Sequence, residues 1–322
     1  MTRFNSSFAQ PFVDFVAWKR AQDIEYKTGE RRLAYFDSFL ADQKVESLVL
    51  TKQHLQDYQA LLTPRGEAAR FTRLVVVLDF ARYYQQIVHT SAVLETMPFK
   101  KPKVGRSFLF SIDHIHSLIQ VARGLRPGTI MSYVMVTLIG LLYTTGMRIG
   151  EALRLTLEDF QSDPYRLFIA NSKFGKDRWV VLKDSTAFAL KAYLKVRQCF
   201  AREIHDGPFF LNQRGAALSY KSVQPCFRGL LDQCEIGPDC TGARPRLHAL
   251  RHTFAVNCLV QWYRQGLNVN DQLPGLVTYM GHVDLASTQV YLQATPELRS
   301  LASQRFHDYA FAEKPCWEVD DV

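Results

Sequence analysis

A short segment rich in proline and lysine divides this chain of 322 residues into two parts. Residues 97–106 read M-P-F-K-K-P-K-V-G-R, and the two prolines and the glycine prevent regular structure there. The same ten residues carry four cationic side chains: Lys100, Lys101, Lys103 and Arg106. We therefore predict a domain over residues 1–97, a basic linker over 98–107 and a second domain over 108–322. A plain linker is the simpler interpretation, but the charge density favours a strap that lies along a polyanion.

The first domain is expected to consist of four amphipathic helices. Its first three segments carry apolar residues at helical spacing: Phe8, Phe12, Phe15 and Val16; Leu33, Phe36, Phe39 and Leu40; Leu55, Tyr58 and Leu62. Thr51 is suited to cap the third helix. The fourth helix is expected over residues 67–88, with five buried side chains: Phe71, Leu74, Val75, Leu78 and Ala81.

Three arginines, Arg70, Arg73 and Arg82, lie along the fourth predicted helix. A solvated helix face is the ordinary explanation for any one of them. As a group on a small helical domain they suit contacts with phosphate groups, and Arg70 and Arg73 are our candidates for such contacts.

The second domain is expected to be helical around a small sheet. Ser111 should cap its first helix, a second should run from residue 129 to 145 and end at Gly146, and Arg148 should open the next. The hydrophobic period then changes, which predicts short strands over residues 165–170 and 178–182. Helices are expected to resume over residues 184–202 and 220–233, in two further helices that carry the last motifs, and in a tail over residues 296–309.

Composition restricts the class of protein. The chain is 47% hydrophobic and 22% charged, with a formal net charge of +8, which suits a globular protein attracted to polyanions. Its most apolar run, residues 130–143, is shorter than the ~20 residues that span a membrane, and no secretory leader is recognised. Six scattered cysteines without a C-x-x-C pair predict reduced thiols in a cytoplasmic protein. The spacing of Cys234, Cys240, His248 and His252 fits no common zinc pattern, so no metal or other cofactor is expected.

Six residues with suitable chemistry occur in the order Arg, Lys, His, Arg, His, Tyr. Arg148 lies in T-T-G-M-R-I-G-E-A-L and Lys173 in N-S-K-F-G-K-D-R. The remaining four lie in R-L-H-A-L-R-H-T-F-A and M-G-H-V-D-L-A-S-T-Q-V-Y: His248, Arg251, His282 and Tyr291. His248 and Arg251 are three positions apart and so share one face of a helix.

This set is suited to cutting a phosphodiester without a metal. The transition state carries additional negative charge, and the two arginines can bind non-bridging oxygens because the guanidinium fork stays protonated. His248 and His282 can donate hydrogen bonds or move protons. Lys173 can protonate the leaving oxygen, and Tyr291 can attack the phosphorus.

Over residues 108–301 the chain resembles the tyrosine recombinases of the phage integrase family. The motifs T-G-M-R-I-G-E-A-L, K-F-G-K-D-R, H-A-L-R-H-T-F-A and M-G-H-V-D-L-A-S-T-Q-V-Y carry the resemblance. The first hundred residues match the family only as four amphipathic helices before a basic linker. The resemblance implies a mostly α fold with a small β-sheet, in which a helical core-binding domain and an α-rich catalytic domain clamp DNA.

The resemblance also implies a reaction and an assembly. Tyr291 would form a 3′-phosphotyrosine link and free a 5′ hydroxyl, which attacks the partner strand through a Holliday junction without metal or ATP. Four copies would assemble on paired DNA sites, each joined to its neighbour by the C-terminal tail. The alternative for the tail is that it folds back on its own catalytic domain. Glu151 matches the acidic residue that supports the first arginine of the family.

Some details leave alternatives open. Lys176 competes with Lys173 for the role of the acid, and some family members carry Trp at the position of His282. Ala249 stands where an acidic residue is common, which should loosen local hydrogen bonding without abolishing activity. A type IB topoisomerase, or a DNA-binding accessory protein with the same fold, are the alternative functions. The biological role is open between dimer resolution, integration, cassette exchange and transposition, and we favour service to a mobile element. The expected location is the cytoplasm of a prokaryote, in association with the nucleoid.

Overall fold

The computed structural model describes residues 3–22, 25–93, 97–102, 107–170, 177–201, 207–240 and 242–281, together with Ser300 and Ser303. The chain forms two compact units, Met1–Val104 and Gly105–Val322. The predicted boundary lay at residue 97, but the partly buried side chains of Met97 and Phe99 pack against the core of the first unit. The beginning of the proline-rich segment therefore belongs with the first unit.

The described residues of the first unit form four helices, α1 (Ala9–Arg20), α2 (Lys27–Asp42), α3 (Lys52–Leu62) and α4 (Glu67–Ile87). Thr51 caps α3 as predicted, because its side chain accepts a hydrogen bond from the His54 N–H. Aromatic rings dominate the core, and the Phe12 and Phe80 ring centroids lie 4.4 Å apart. The apolar residues predicted for α1, α2 and α3 are all buried.

The predicted core face of α4 is partly wrong. Val75 is 39% exposed and Phe71 is only half-buried, whereas Val77 is fully buried. The buried positions of α4, which are 74, 76, 77, 78, 80, 81 and 84, cover most of the helix surface and leave residue 75 on the side that remains exposed. Because residues 75–77 are all valine, the sequence does not indicate which of them faces the core.

The second unit has seven described helices and one sheet. The helices are α5 (Ile112–Arg123), α6 (Met131–Thr145), α7 (Ile149–Ala152), α8 (Asp184–Gln198), α9 (Tyr220–Gln233), α10 (Leu247–Arg264) and α11 (Val269–Met280). Ser111 caps α5 through the His114 N–H, as predicted. The apolar helix α6 is central, since it packs against α5, α8 and α10. The prediction of a mostly α fold with a small sheet is confirmed.

The sheet has three antiparallel strands in the order β1 (Phe160–Ser162), β2 (Tyr165–Ile169) and β3 (Arg178–Val181). Leu167 pairs with Val180, and both side chains are buried. The strand β1 was not predicted, because three residues are too few to show a period of two. The helix predicted to follow Arg148 is shorter than expected, ending at Ala152.

None of the helices in the described part of the chain is both long and apolar enough to cross a membrane. The cysteines in that part, Cys199, Cys226, Cys234, Cys240 and Cys258, are free thiols.

Candidate active site

The end of α6 supplies the first element of the site. Gly146 ends this helix with a φ of 62°, in the left-handed region that favours glycine. A Cβ at this position would lie 2.2 Å from a ring carbon of Phe254 on α10, so the close approach also requires glycine. The chain then turns directly into Arg148, which caps α7.

Arg148 is held by Glu151, one turn along α7. The backbone N–H of Arg148 donates to Glu151 Oε2 at 2.9 Å, and its Nη1 donates to Glu151 Oε1 at 2.8 Å. The carboxylate is almost completely buried, whereas the arginine side chain remains 24% exposed. The buried carboxylate of Glu151 thus contacts Arg148 and fixes the direction in which the guanidinium of Arg148 points.

Arg178, the first residue of β3, is a site residue that the sequence analysis missed. Its Nη2 donates to Glu151 Oε2 at 2.8 Å and its Nη1 to Glu151 Oε1 at 3.2 Å. Its Nε donates to the Tyr279 carbonyl at 2.8 Å. The signal in the sequence is a charged residue at the start of the apolar strand R-W-V-V, in the same motif as Lys173 and Lys176.

The two arginines control the ionisation of Glu151. Burial alone would raise the pKa of this carboxyl, but hydrogen bonds and charge from Arg178, together with the hydrogen bonds from Arg148, lower the pKa to about 2. Glu151 is therefore a carboxylate at neutral pH. The positive charges of Arg148 and Arg178 compensate for the cost of burying the Glu151 carboxylate.

Arg251, on α10, is only 1% exposed. Its Nη1 donates to the Gly146 carbonyl at 2.7 Å and its Nη2 to the Met280 carbonyl at 2.6 Å. These carbonyls lie at the C-terminal ends of α6 and α11, where unpaired C=O groups and the helix dipole favour a cation. The buried charge of Arg251 is thereby stabilised by two helix ends.

Three arginines from separate elements bind consecutive carbonyls at the end of α11. Arg178 binds the Tyr279 carbonyl, Arg251 binds that of Met280, and Arg148 Nη2 donates to that of Gly281 at 2.8 Å. Gly281 has a φ of 66°, and a Cβ there would lie 2.8 Å from Arg178 Nη1. The structure therefore brings the predicted pair Arg148 and Arg251 together at this helix end.

His248 and His252 lie one turn apart on α10, with ring centroids 4.8 Å apart and the rings nearly perpendicular. Partial desolvation lowers the pKa of His248, as do the nearby charges of Arg251 and Arg148. Burial, His248 and Arg251 together lower the pKa of His252 to about 4. The cationic surroundings thus favour neutral imidazoles, and the influence of both arginines shows that His248 lies near them.

The other predicted catalytic side chains, Lys173, His282 and Tyr291, lie outside the described residues, as does the alternative Lys176. Tyr279 is described, and its hydroxyl donates to the Val181 carbonyl at 3.2 Å. Burial raises the pKa of Tyr279 above its usual range. A phenol bonded in this way and hard to ionise is poorly suited to be a nucleophile.

The predicted nucleic-acid contacts of the first unit are partly described. The guanidinium of Arg70 lies 5.3 Å from the ring centroid of Phe99, and that of Arg73 lies 3.8 Å from the ring centroid of Tyr35. Such packing leaves the edge of a guanidinium able to donate hydrogen bonds while its face is covered. Lys100 and Lys101 are exposed, and Lys103 and Arg106 lie outside the described residues.

The arrangement is suited to binding an anion. Arg148 is partly exposed, Arg251 is fixed beneath it by two helix ends, and His248 presents an exposed ring near both. Donors fixed in advance of binding stabilise developing negative charge without reorganisation. Among the described residues, no group of three or more His, Cys, Asp and Glu side chains is placed to hold a metal ion.

The sequence profile of the phage integrase family matches residues 110–297 of this chain. The y4rB protein of Sinorhizobium fredii, provisionally named an integrase/recombinase, is 33% identical over 313 residues, covering 93% of this chain and 97% of that protein. The tyrosine recombinase XerC of Bacillus subtilis is 26% identical over 287 residues, covering 86% of this chain and 88% of that protein. The profile match lies within the second unit, whereas the matches to the two relatives extend through both units.

Solved structures share the fold. The XerH site-specific recombinase, bound to a palindromic difH substrate in a post-cleavage complex, aligns with a TM-score of 0.64 at 18% identity, covering 89% of this chain and 80% of that one. The Tn1549 transposon integrase in complex with a circular intermediate DNA aligns with a TM-score of 0.65 at 15% identity, covering 92% and 98%.

Proposed function

The chain belongs to the phage integrase family of tyrosine recombinases, and from this we propose that it cuts and rejoins DNA at specific sites through a covalent link between a 3′ phosphate and Tyr291. The observation that carries the proposal is the meeting of Arg148 and Arg251 at the end of α11, next to His248. A recombinase of this family needs two such cations at one phosphate.

The two arginines are assigned to the non-bridging oxygens of the phosphate that is cut. Arg148 is the more accessible, and a guanidinium carries five N–H donors, so its bonds to Glu151 and Gly281 leave donors for an oxygen. Arg251 contributes a charge that its buried bonds hold in place. Both charges favour the transition state, in which the negative charge on phosphorus-bound oxygens is greatest.

The remaining roles follow from the chemistry of each side chain. Tyr291 is the nucleophile, Lys173 protonates the leaving 5′ oxygen, and His248 and His282 donate hydrogen bonds to the phosphate or move protons. Lys176 is the alternative to Lys173. The neutral state favoured for His248 makes it able to accept a proton from an attacking phenol as well as to donate a hydrogen bond.

The partner is double-stranded DNA with paired sites. Six basic residues of the first unit and of the linker are assigned to phosphate contacts: Arg70, Arg73, Lys100, Lys101, Lys103 and Arg106. The solved XerH and Tn1549 integrase complexes, which contain DNA, support this choice of partner. Phosphate contacts of this kind position a protein on DNA but do not select its sequence.

We further propose that four copies act together through a Holliday junction, with the C-terminal tail of each copy docked on its neighbour, and that the chain serves a mobile element. The sequence predicts a helix in the tail with four apolar residues on one side: Leu298, Leu301, Phe306 and Tyr309. Truncation after Ala294 should leave binding to a single-arm site intact and abolish cooperative binding to a two-arm site. Cooperative binding and recombination by the truncated chain would refute the assembly.

The test of the reaction is trapping of the covalent complex. Duplexes that the purified chain binds are first selected from random sequence by gel shift, and a nick near the cut position then makes them suicide substrates. Wild type should give an SDS-resistant protein–DNA band, and Tyr291→Phe should bind the same duplex without forming the band. Tyr279→Phe is the matched control, and it should retain the band because its hydroxyl bonds only to the Val181 carbonyl among described residues.

Two outcomes would contradict the proposal. A covalent band with Tyr291→Phe would assign the nucleophile elsewhere. Loss of the band with Tyr279→Phe, while DNA binding and folding persist, would point to Tyr279 itself.

A further inference from the structure

Arg178 joins three parts of the catalytic unit. It begins β3, directly after the segment that contains Lys173, and its side chain is only 9% exposed. One side of its guanidinium binds both oxygens of Glu151, at the start of α7. Its Nε binds the Tyr279 carbonyl, at the end of α11.

The bonds to Glu151 determine where that carboxylate can lie. Glu151 accepts two hydrogen bonds from Arg148 and two from Arg178. A carboxylate offers about four lone-pair sites, so these bonds use its full capacity. Because Glu151 in turn holds the guanidinium of Arg148, the orientation of Arg148 depends on Arg178.

The bond to Tyr279 acts on a second element. It lies one residue before the carbonyl that Arg251 binds and two before the carbonyl that Arg148 binds. Gly281 permits the close approach, since a Cβ there would contact Arg178 Nη1. Arg178 therefore fixes the helix end that precedes His282 in the sequence.

We propose that Arg178 is a positioning residue for DNA cleavage, which holds Glu151 and the end of α11 so that Arg148 and Arg251 present their donors to one phosphate. This role rests on the proposed function of those two arginines. A lysine is not a substitute, because one ammonium on a flexible stem lacks the fixed planar donors with which the guanidinium binds the Glu151 carboxylate and the Tyr279 carbonyl together. Simple neutralisation of Glu151, in contrast, needs only a positive charge.

The Arg178→Lys variant separates the two roles, because it keeps the charge and removes the fork. Its single-turnover cleavage of the nicked duplex at saturating DNA should fall by ~10²-fold, the effect expected of a displacement of about 1 Å at a reacting centre. Its affinity for the duplex and its thermal unfolding should remain close to wild type. Arg166→Lys is the matched control, because Arg166 lies on β2 of the same sheet and contacts Gln161 and Trp179 instead.

A second comparison in a Glu151→Gln background covers the case in which Arg178→Lys alone fails to fold. Neutralisation no longer matters there, since the buried carboxylate is absent. If Arg178 positions the end of α11, adding Arg178→Lys should still slow cleavage by ~10-fold relative to Glu151→Gln alone. Equal rates for the single and double variants would overturn the positioning role.

The remaining outcomes also decide the question. Cleavage by Arg178→Lys within ~3-fold of wild type, a change of under 1 kcal/mol in the barrier, would overturn the role of Arg178 while leaving the proposed function intact. Failure of the wild-type chain to form any covalent complex would refute the proposed function, and the role of Arg178 with it.

Discussion

Arg251 Nη1 donates to the Gly146 carbonyl at 2.7 Å, a bond between residues that are 105 positions apart in the chain. This hydrogen bond connects α10 to the end of α6, two residues before Arg148. The same guanidinium binds the end of α11, so a single side chain holds three helices in their relative positions. The proposed catalytic role and a structural role therefore coincide at Arg251, whereas the structural role is smaller at Arg148.

This difference predicts unequal effects of two alanine substitutions. Arg148→Ala and Arg251→Ala should each reduce cleavage by ~10²–10³-fold or more, as does loss of a donor from an anion site. Arg251→Ala should also destabilise the fold by several kcal/mol, because it leaves two buried carbonyls unpaired at about 1–3 kcal/mol each. Arg148→Ala should have a smaller effect on stability, since Glu151 retains Arg178.

Single-turnover cleavage and urea unfolding of the two variants test this prediction. Arg123→Ala, an exposed arginine on α5, is the control and should change neither measurement. Equal stability of the two catalytic variants would show that the helix-end bonds of Arg251 contribute little.

Two of the left-handed glycines, Gly146 and Gly128, predict a second contrast. Gly146→Ala should be more destabilising than Gly128→Ala, although both residues have a positive φ, 62° and 79°. The backbone cost of a left-handed alanine, about 1–2 kcal/mol, is common to both. Only at Gly146 does the added Cβ also meet a ring, that of Phe254.

Differential scanning calorimetry of these variants with Gly281→Ala would rank the three positions. Gly281→Ala should be intermediate in stability, because the flexible Arg178 side chain can move away, yet it should lose cleavage as Arg178 shifts. Normal cleavage by a folded Gly281→Ala would contradict the arrangement at the end of α11.

The ionisation of Glu151 predicts a pH dependence of stability. Its pKa falls from an ordinary 4.5 to about 2 on folding, so the folded state binds the proton less readily than the unfolded state. The resulting stabilisation, about 3 kcal/mol, is fully present above pH 4.5 and is lost as the pH falls towards 2. Other carboxylates contribute to acid unfolding as well, so the measurement needs a reference.

Glu151→Gln provides that reference, because the amide does not titrate. The difference in unfolding free energy between wild type and this variant should be constant from pH 7 to 5 and should shrink between pH 4.5 and 3. A difference that does not change with pH would mean that Glu151 has an ordinary pKa in the folded state.

The assignment of the acid predicts rescue by sulfur. Lys173→Ala should cleave an ordinary duplex poorly and should recover on a duplex with a 5′-bridging sulfur at the cut position. Sulfur is a good leaving group and needs no proton donor, so loss of a general acid matters less. Cleavage rates on the two duplexes, measured beside Lys176→Ala, decide between the lysines. An equally deep defect of Lys173→Ala on both duplexes would favour Lys176.

Local signals predicted much of this fold. Thr51 and Ser111 cap their helices and Gly146 ends α6 because capping and left-handed turns depend on a few adjacent residues. The contact between Glu151 and Arg148 was expected from the family resemblance, in which an acidic residue supports the first arginine. Motif order, together with the resemblance it carries, predicted Arg148, His248 and Arg251, and the structure brings the two arginines together at the end of α11.

The missed features depend on distant contacts. Arg178 binds Glu151 and Tyr279, which are 27 and 101 positions away in the chain, and the residues adjacent to Arg178 do not predict either partner. The exposure of Val75 depends on helix phase within an unbroken run of valines. Sequence patterns identify which residues carry the chemistry, but tertiary packing decides which residues orient them.

The contacts at the end of α11 have a consequence for how this segment can vary. The arginines bind main-chain carbonyls, which every residue type carries, so the side chains of Tyr279 and Met280 are not what the guanidiniums recognise. Removal or addition of one residue, however, would rotate the following carbonyls by about 100° around the helix axis. The length of α11 should therefore tolerate change far less than its amino-acid composition does. Related proteins should have no insertions or deletions in this helix, although exposed positions such as Thr278 should accept many side chains.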